Sequence, residues 1–150
     1  MKSLIKLLDD PEFTQQVPHA TESYAAGTVI LEEDDEGRDF YLIVKGQAQA
    51  KIYIEDKIGG LTTGLTKLGA NDLFGELSMF DGEPRSAQVT AVTDCEVIHF
   101  DGIQMIDYLD AHPEKGYWIL KEMLMHVIVH MRQNTIRAKT ALQLYLTETT

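Results

Sequence analysis

From Gln47 to Glu55 apolar and polar residues alternate with a period of two. Ala48, Ala50, Ile52 and Ile54 fall on one side, and Gln47, Gln49, Lys51, Tyr53 and Glu55 on the other. Successive side chains of a strand point to opposite faces, so this pattern predicts a half-buried strand. TVILEE (28–33) precedes it, followed by the acidic turn DDEG and then DFYLIVK from Asp39. Lys45-Gly46 stands where a two-residue hairpin turn would sit. SAQVTAV and CEVIHF flank Thr93-Asp94 and predict a second hairpin, and GGLTTGLTK (59–67) a glycine-rich one. The run EEDDEGRD is expected to cap a hairpin in solvent. Short strands at this spacing point to an antiparallel sandwich or jelly roll, mainly β with helical flanks.

The flanks carry the other period. MKSLIKLLDD reads as a first helix that turns acidic at once, without the cleavage site of an export signal. Asp101 is placed to cap a short helix over 101–111, with Ile103, Ile106 and Leu109 sharing a face. His112-Pro113 breaks that helix, and Pro113 suits the first position of the next. The segment from Pro113 onward is nearly free of breakers. Tyr117, Leu120, Leu124, Val127, Met131, Asn134, Ala138, Ala141 and Tyr145 recur at alternating steps of three and four, the heptad spacing of a coiled coil. A homodimer through 117–145 is expected from this seam, with Asn134 setting register. The competing reading is one amphipathic helix packed on its own chain.

Composition narrows the class. The chain has 150 residues, 44% hydrophobic and 25% charged, enough for one domain with a real core. No apolar run reaches the roughly 18 residues of a membrane helix. Cys95 is the sole cysteine, which rules out an internal disulfide framework, fits a reducing cytoplasm and reads as a small buried residue. Charge is uneven. Residues 1–110 hold 8 Lys+Arg against 21 Asp+Glu, whereas residues 111–150 hold 5 against 3. An acidic body without a basic stripe argues against nucleic-acid binding, since Arg132, Arg137 and Lys139 are too few to neutralise a phosphate backbone.

Three patterns resemble sites without completing one. Gly59 and Gly64 have P-loop spacing, but Leu65 stands where that motif requires Lys. His126 and His130 lie one helical turn apart, yet HVIVH shows no third ligand nearby, so no metal site is expected. The acidic run lacks the alternate-position acids of a calcium loop. No catalytic triad or carboxylate pair stands out, and an enzyme is not expected.

FGELSMFDGEPRSA (74–87) is different. A sheltered phosphate calls for an Arg fork, backbone N–H donors and small neighbours, and Arg85, Ser86 and Ala87 supply all three in succession. A ribose hydroxyl calls for an acceptor, which Glu76 supplies. Gly75 permits a tight turn into a short helix starting at GELSMF. A surface Arg–Glu pair, contributing roughly 0 to 1 kcal/mol, would not explain the small residues. The pair reads as a grip for one sugar and one phosphate.

These residues resemble the phosphate-binding cassette of cyclic-nucleotide-binding domains, as in catabolite activator proteins and protein kinase A regulatory subunits. YAAGTVI, FYLIVKGQA, LGANDLFGEL and TDCEVIHFD extend the resemblance over almost the whole chain. It implies a β-roll, or double-stranded β-helix, over 1–112 and a long C-terminal helix over 113–150. It also implies Glu76 on the ribose 2′-OH, Arg85 on the cyclic phosphate, contacts from Gly75, Leu77, Ser86 and Ala87, and Leu65 and Thr66 in the base pocket. Ala70-Asn71 stands before Asp72 where the family often has a Pro-Gly or Gln-Gly pair, a change that Asn tolerates in left-handed geometry. Ser86 points to cAMP over cGMP.

The expected function is a cyclic-nucleotide sensor, without a cofactor, whose hinge at His112-Pro113 moves the long helix over the base. His126, His130 or Asn134, from this chain or from a partner chain, would then reach the purine, and the signal would pass to a partner protein. The alternatives are the sensing half of a DNA-binding regulator whose helix-turn-helix is not in this chain, and a dimerisation module indifferent to nucleotide.

Overall fold

The computed structural model describes residues 1–54 and 61–149, with side chains described outside 53–65. Two short helices open the chain, α1 (Lys2–Leu7) and α2 (Pro11–Gln16). Asp10 caps α2 by accepting a hydrogen bond from the Glu12 N–H at 3.0 Å. Eight strands follow: β1 (His19–Tyr24), β2 (Val29–Leu31), β3 (Phe40–Lys45), β4 (Ala48–Ile54), β5 (Leu61–Leu68), β6 (Leu73–Phe74), β7 (Gln88–Ala91) and β8 (Cys95–Phe100). Helix α3 (Glu76–Asp81) interrupts them, and α4 (Gly102–Ala111) and α5 (Pro113–Glu148) close the chain.

The strands form two four-stranded antiparallel sheets, β1-β8-β3-β6 and β2-β7-β4-β5. This is the expected jelly-roll class, but two predicted hairpins are absent. β3 lies in the first sheet and β4 in the second, and β7 and β8 are divided in the same way. Lys45-Gly46 and Thr93-Asp94 are therefore crossovers between sheets. The reason is that the two corners brace each other: the N–H groups of Val92 and Thr93 donate to the Gln47 carbonyl at 2.8 and 3.2 Å. Gly46 is needed there, because at φ +94° an added Cβ would lie 2.2 Å from the Asp94 carbonyl oxygen. The acidic run also caps no hairpin, since β2 and β3 do not pair. Its backbone instead bonds reciprocally with Arg85, Asp34 N–H to Arg85 O at 2.9 Å and Arg85 N–H to Asp35 O at 2.8 Å. The 61–67 part of the glycine-rich run is strand β5, paired with β4.

Strand β3 is apolar on both faces because both faces are covered. Phe40 and Leu42 pack with Phe13, Phe100, Met105, Tyr108, Ile119 and Met123 between the first sheet and the helices. Tyr41 and Ile43 pack with Phe74, Val89, Cys95 and Val97 between the sheets. On β4, Ala48 is buried, whereas Ile52 on the same face is 43% exposed, so the inward face opens where the sheets part.

Both closing helices start as expected; on α4 the expected Leu109 is buried and Ile106 packs against the core, whereas α5 buries a different face. Asp101 caps α4 by accepting from the Gln104 N–H at 2.9 Å, but Ile103 is exposed and Met105, Tyr108 and Leu109 are buried. Bulk decides this, since Tyr108 stacks edge-on against Phe13 at 5.0 Å. Helix α5 is 36 residues long and docks on its own chain through Gly116, Ile119 and Met123. That set is offset by one residue from the heptad seam, whose Tyr117, Leu120, Leu124, Met131 and Tyr145 are exposed.

Candidate functional site

A cavity of about 820 Å³ opens between the second sheet, α3 and α5. Leu31, Ala50, Leu68, Leu73 and Val89 give it an aliphatic wall, and 75–78 and 85–87 line the opposite side. The long helix closes it with His126, His130, Asn134, Arg137, Ala138 and Ala141. A pocket of this volume holds a small ligand, its polar groups fixing orientation against an apolar lining.

Arg85 is 5% exposed, yet among the described residues no carboxylate lies within ion-pair distance of it. Its Nη1 donates to the Asp39 carbonyl at 2.7 Å and the Gly75 carbonyl at 3.0 Å. Two neutral acceptors fix the fork without cancelling its charge. A buried cation so placed is costly until an anion meets it. Gly75 makes room: its φ is +81°, and an added Cβ would lie 2.9 Å from Arg85 Nη1 and 3.0 Å from the Asp39 carbonyl oxygen. That left-handed residue turns β6 into α3 and sets Glu76 at the first helical position, where it is 8% exposed. Burial pushes the Glu76 carboxyl up to about 7, opposed by a hydrogen bond from its own N–H. The cavity thus holds a guanidinium and a carboxyl group whose charges are both underused by the protein.

The remaining predicted residues assemble around this pair. Leu77 and Ser86 are exposed and Ala87 half-buried, and all three line the cavity. Thr66 is buried, with its Oγ1 3.4 Å from Asn134 Oδ1 and 3.3 Å from Arg137 Nη1. The Leu65 side chain lies outside the described residues. His130 and Asn134 come from the same chain, with no second copy needed to bring them to the cavity. The heptad seam is therefore split, because Asn134, Ala138 and Ala141 line the cavity while Tyr117, Leu120 and Leu124 face outward. Arg137 is the residue that charge counting passed over. Its position, three residues beyond Asn134 on the 130-134-137-141 face, was the available signal.

Two histidines mark the joints. His112, between α4 and α5, bonds the Tyr108 carbonyl at 3.0 Å and Glu12 of α2 at 2.9 Å, and the Glu12 contact holds its pKa above the ordinary range. Lys115 of α5 bonds Asp10 at 2.7 Å, so the predicted hinge is latched to the N-terminal helices. His99 is clamped by Glu22 at 2.8 Å and Asp39 at 2.7 Å. Burial opposes protonation there, but the two carboxylates outweigh it and raise the pKa. Asn71, at φ +72°, takes the left-handed geometry expected of it. Cys95 is buried, with its thiol donating to the Gln47 carbonyl.

Known proteins resemble this chain in sequence and in fold. The cAMP-dependent protein kinase regulatory subunit of Pyricularia oryzae is 40% identical over 78 residues, covering 51% of this chain and 18% of that protein. The CRP-like cAMP-activated global transcriptional regulator of Mycobacterium tuberculosis is 27% identical over 112 residues, covering 75% and 46%. The chain thus spans less than half the length of either relative. A solved cyclic nucleotide-binding domain from Methylobacillus flagellatus has a TM-score of 0.71 and 27% identity, covering 79% of this chain and 65% of that one. No helix among the described residues is long and apolar enough to cross a membrane. The family model for the cyclic nucleotide-binding domain matches residues 21–112, which include Glu76 and Arg85 and end at the break before α5. A match over that much of the chain, on a jelly roll whose cavity pairs a buried arginine with a buried glutamate, places the protein in the cyclic nucleotide-binding domain family.

Proposed function

We propose that the chain is a non-catalytic regulatory module that binds cAMP and signals by the position of α5. The observation that carries this reading is the buried Arg85, held by two carbonyls and facing a cavity that also contains Glu76. The cyclic phosphate meets the guanidinium in a charge-assisted, forked contact, and the ribose 2′-OH donates to Glu76. Leu77, Ser86 and Ala87 border the sugar and phosphate, and the purine lies between Thr66 and the His130 to Asn134 stretch of α5. The preference for cAMP over cGMP rests on Ser86 and on the relatives' cAMP dependence.

Helix α5 is both wall and output. Beyond its docked turns, residues 131–149 are exposed, and a helix without tertiary packing is only marginally stable in water. Ligand contacts from Asn134 and Arg137 would fix it in one position, and the shift obtained equals the ligand's differential affinity for the two positions. The outward stripe of Tyr117, Leu120 and Leu124 suits a second copy of the chain, and the downstream partner is a further protein. Isothermal titration with cAMP and cGMP on the wild type and Arg85→Ala tests the reading. Micromolar-range cAMP binding that is lost in the variant supports it; no heat with either nucleotide overturns it.

A further inference from the structure

The two histidines of HVIVH acquire in the fold the third ligand that their local sequence lacks. One ligand atom from each of Asp72, His126 and His130 lies within 4.8 Å of the other two, all three residues being half-buried. The outer contacts orient them. His126 Nε2 lies 3.0 Å from the Leu73 carbonyl, a distance that requires an N–H there and leaves the lone pair of the neutral ring on Nδ1. Nδ1 faces Asp72 Oδ1 at 3.7 Å, too far for a hydrogen bond. The other carboxylate oxygen, Oδ2, is already engaged, accepting the Gly69 N–H at 2.8 Å. Nδ1 and Oδ1 are thus left as neighbouring acceptors, while the other donor or acceptor atom of each group is engaged in a hydrogen bond. The His130 ring stands 4.3 Å from that of His126, one helical turn on. A backbone carbonyl taking the second ring N–H is the outer-shell arrangement found behind metal-bound histidines.

We propose that Asp72, His126 and His130 form a binding site for a divalent transition metal of the zinc class, which ties α5 to the turn before β6. Two imidazoles and one carboxylate suit Zn²⁺, Co²⁺ or Ni²⁺, whereas Ca²⁺ and Mg²⁺ require a shell of oxygens. Three protein ligands leave a coordination position for water. In a tetrahedral site with bonds of about 2.0 to 2.1 Å the ligand atoms stand about 3.3 Å apart, so from a separation of up to 4.8 Å binding requires closure of at most roughly 1.5 Å, within reach of side-chain rotation. The site borders the nucleotide cavity, which His126 and His130 also line, but its ligand set is independent of the Arg85 reading.

The test uses untagged, EDTA-treated protein. Equilibrium dialysis against ZnCl₂ should give one equivalent per chain, and CoCl₂ should produce visible d–d absorption. Asp72→Asn and His130→Gln should each weaken zinc binding at least tenfold, with His99→Gln as the unaffected control. Because His130 is a half-buried helix position, His130→Gln carries the test if Asp72→Asn fails to fold. The absence of stoichiometric binding to the wild type overturns the proposal, as does binding unchanged in the folded variants.

Discussion

Glu76→Gln separates what the site costs the fold from what it does for a ligand. The substitution keeps shape and hydrogen-bonding capacity and removes the charge. Burial has moved the Glu76 carboxyl from an ordinary 4.5 to about 7, so its ionisation opposes folding. The sign follows from proton linkage: the folded state holds the proton more tightly, so the wild type loses stability as pH rises from 4.5 to about 7 and bears the full cost above that window. At 1.36 kcal/mol for each tenfold change in acidity, the cost is roughly 3 kcal/mol. Urea unfolding of the wild type and Glu76→Gln at pH 5 and pH 8.5 measures it, with the variant gaining about 2.5 kcal/mol more at the higher pH. The same variant should bind cAMP about tenfold more weakly, since a neutral acceptor replaces a charged one. A stability difference that stays constant across pH, or shrinks as pH rises, would refute the assignment of Glu76 as a carboxylate buried at its own expense.

Two further substitutions probe the frame around the site. Gly75→Ala should destabilise the protein by about 1 to 2 kcal/mol from left-handed geometry alone. The approach to Arg85 Nη1 and to the Asp39 carbonyl adds to that, so thermal melting should fall by several degrees and Arg85-dependent nucleotide binding should be lost. On α5, Met123→Ala removes a side chain that is 2% exposed and should cost about 2 to 5 kcal/mol at any protein concentration. Leu124→Ala, at a position 59% exposed, should change the stability of the isolated chain by less than about 0.5 kcal/mol. In sedimentation, Leu124→Ala should weaken any concentration-dependent dimer while Met123→Ala leaves its interface intact; the reverse result would place the dimer seam elsewhere.

Much of the architecture is local and was legible. The period-two alternation of β4, the left-handed requirement at Asn71 and Gly75, the Asp101 cap and the His112-Pro113 break depend on neighbours within a few residues. Glu76, Arg85, Ser86 and Ala87 likewise line one cavity, as their closeness within 74–87 led one to expect. What was misread is long-range. A turn at Lys45-Gly46 looks the same in sequence whether the chain returns to its own sheet or crosses to the other, and the hydrogen bonds from Val92 and Thr93 decide it.

The helical faces teach the same lesson. Heptad spacing on α5 selected residues of one chemical class, but the face that docks is set by which residues fit the core already formed by Leu4, Leu7 and Tyr108. The small Gly116 and the flexible Met123 fit there, and the seam's Tyr117, Leu120 and Leu124 are left outside. Sequence by itself determined the fold class and the starts of the two closing helices, since propensity, capping and side-chain chemistry act over a few residues, whereas the second short helix, α2, went unread. Only the tertiary structure decided that Arg137 and Asn134 reach Thr66, that Arg85 is held by Asp39 and Gly75 carbonyls, and that Asp72 meets His126 and His130. Each of these joins segments far apart in the chain, and their proximity depends on how two sheets and a helix pack, which no local pattern records.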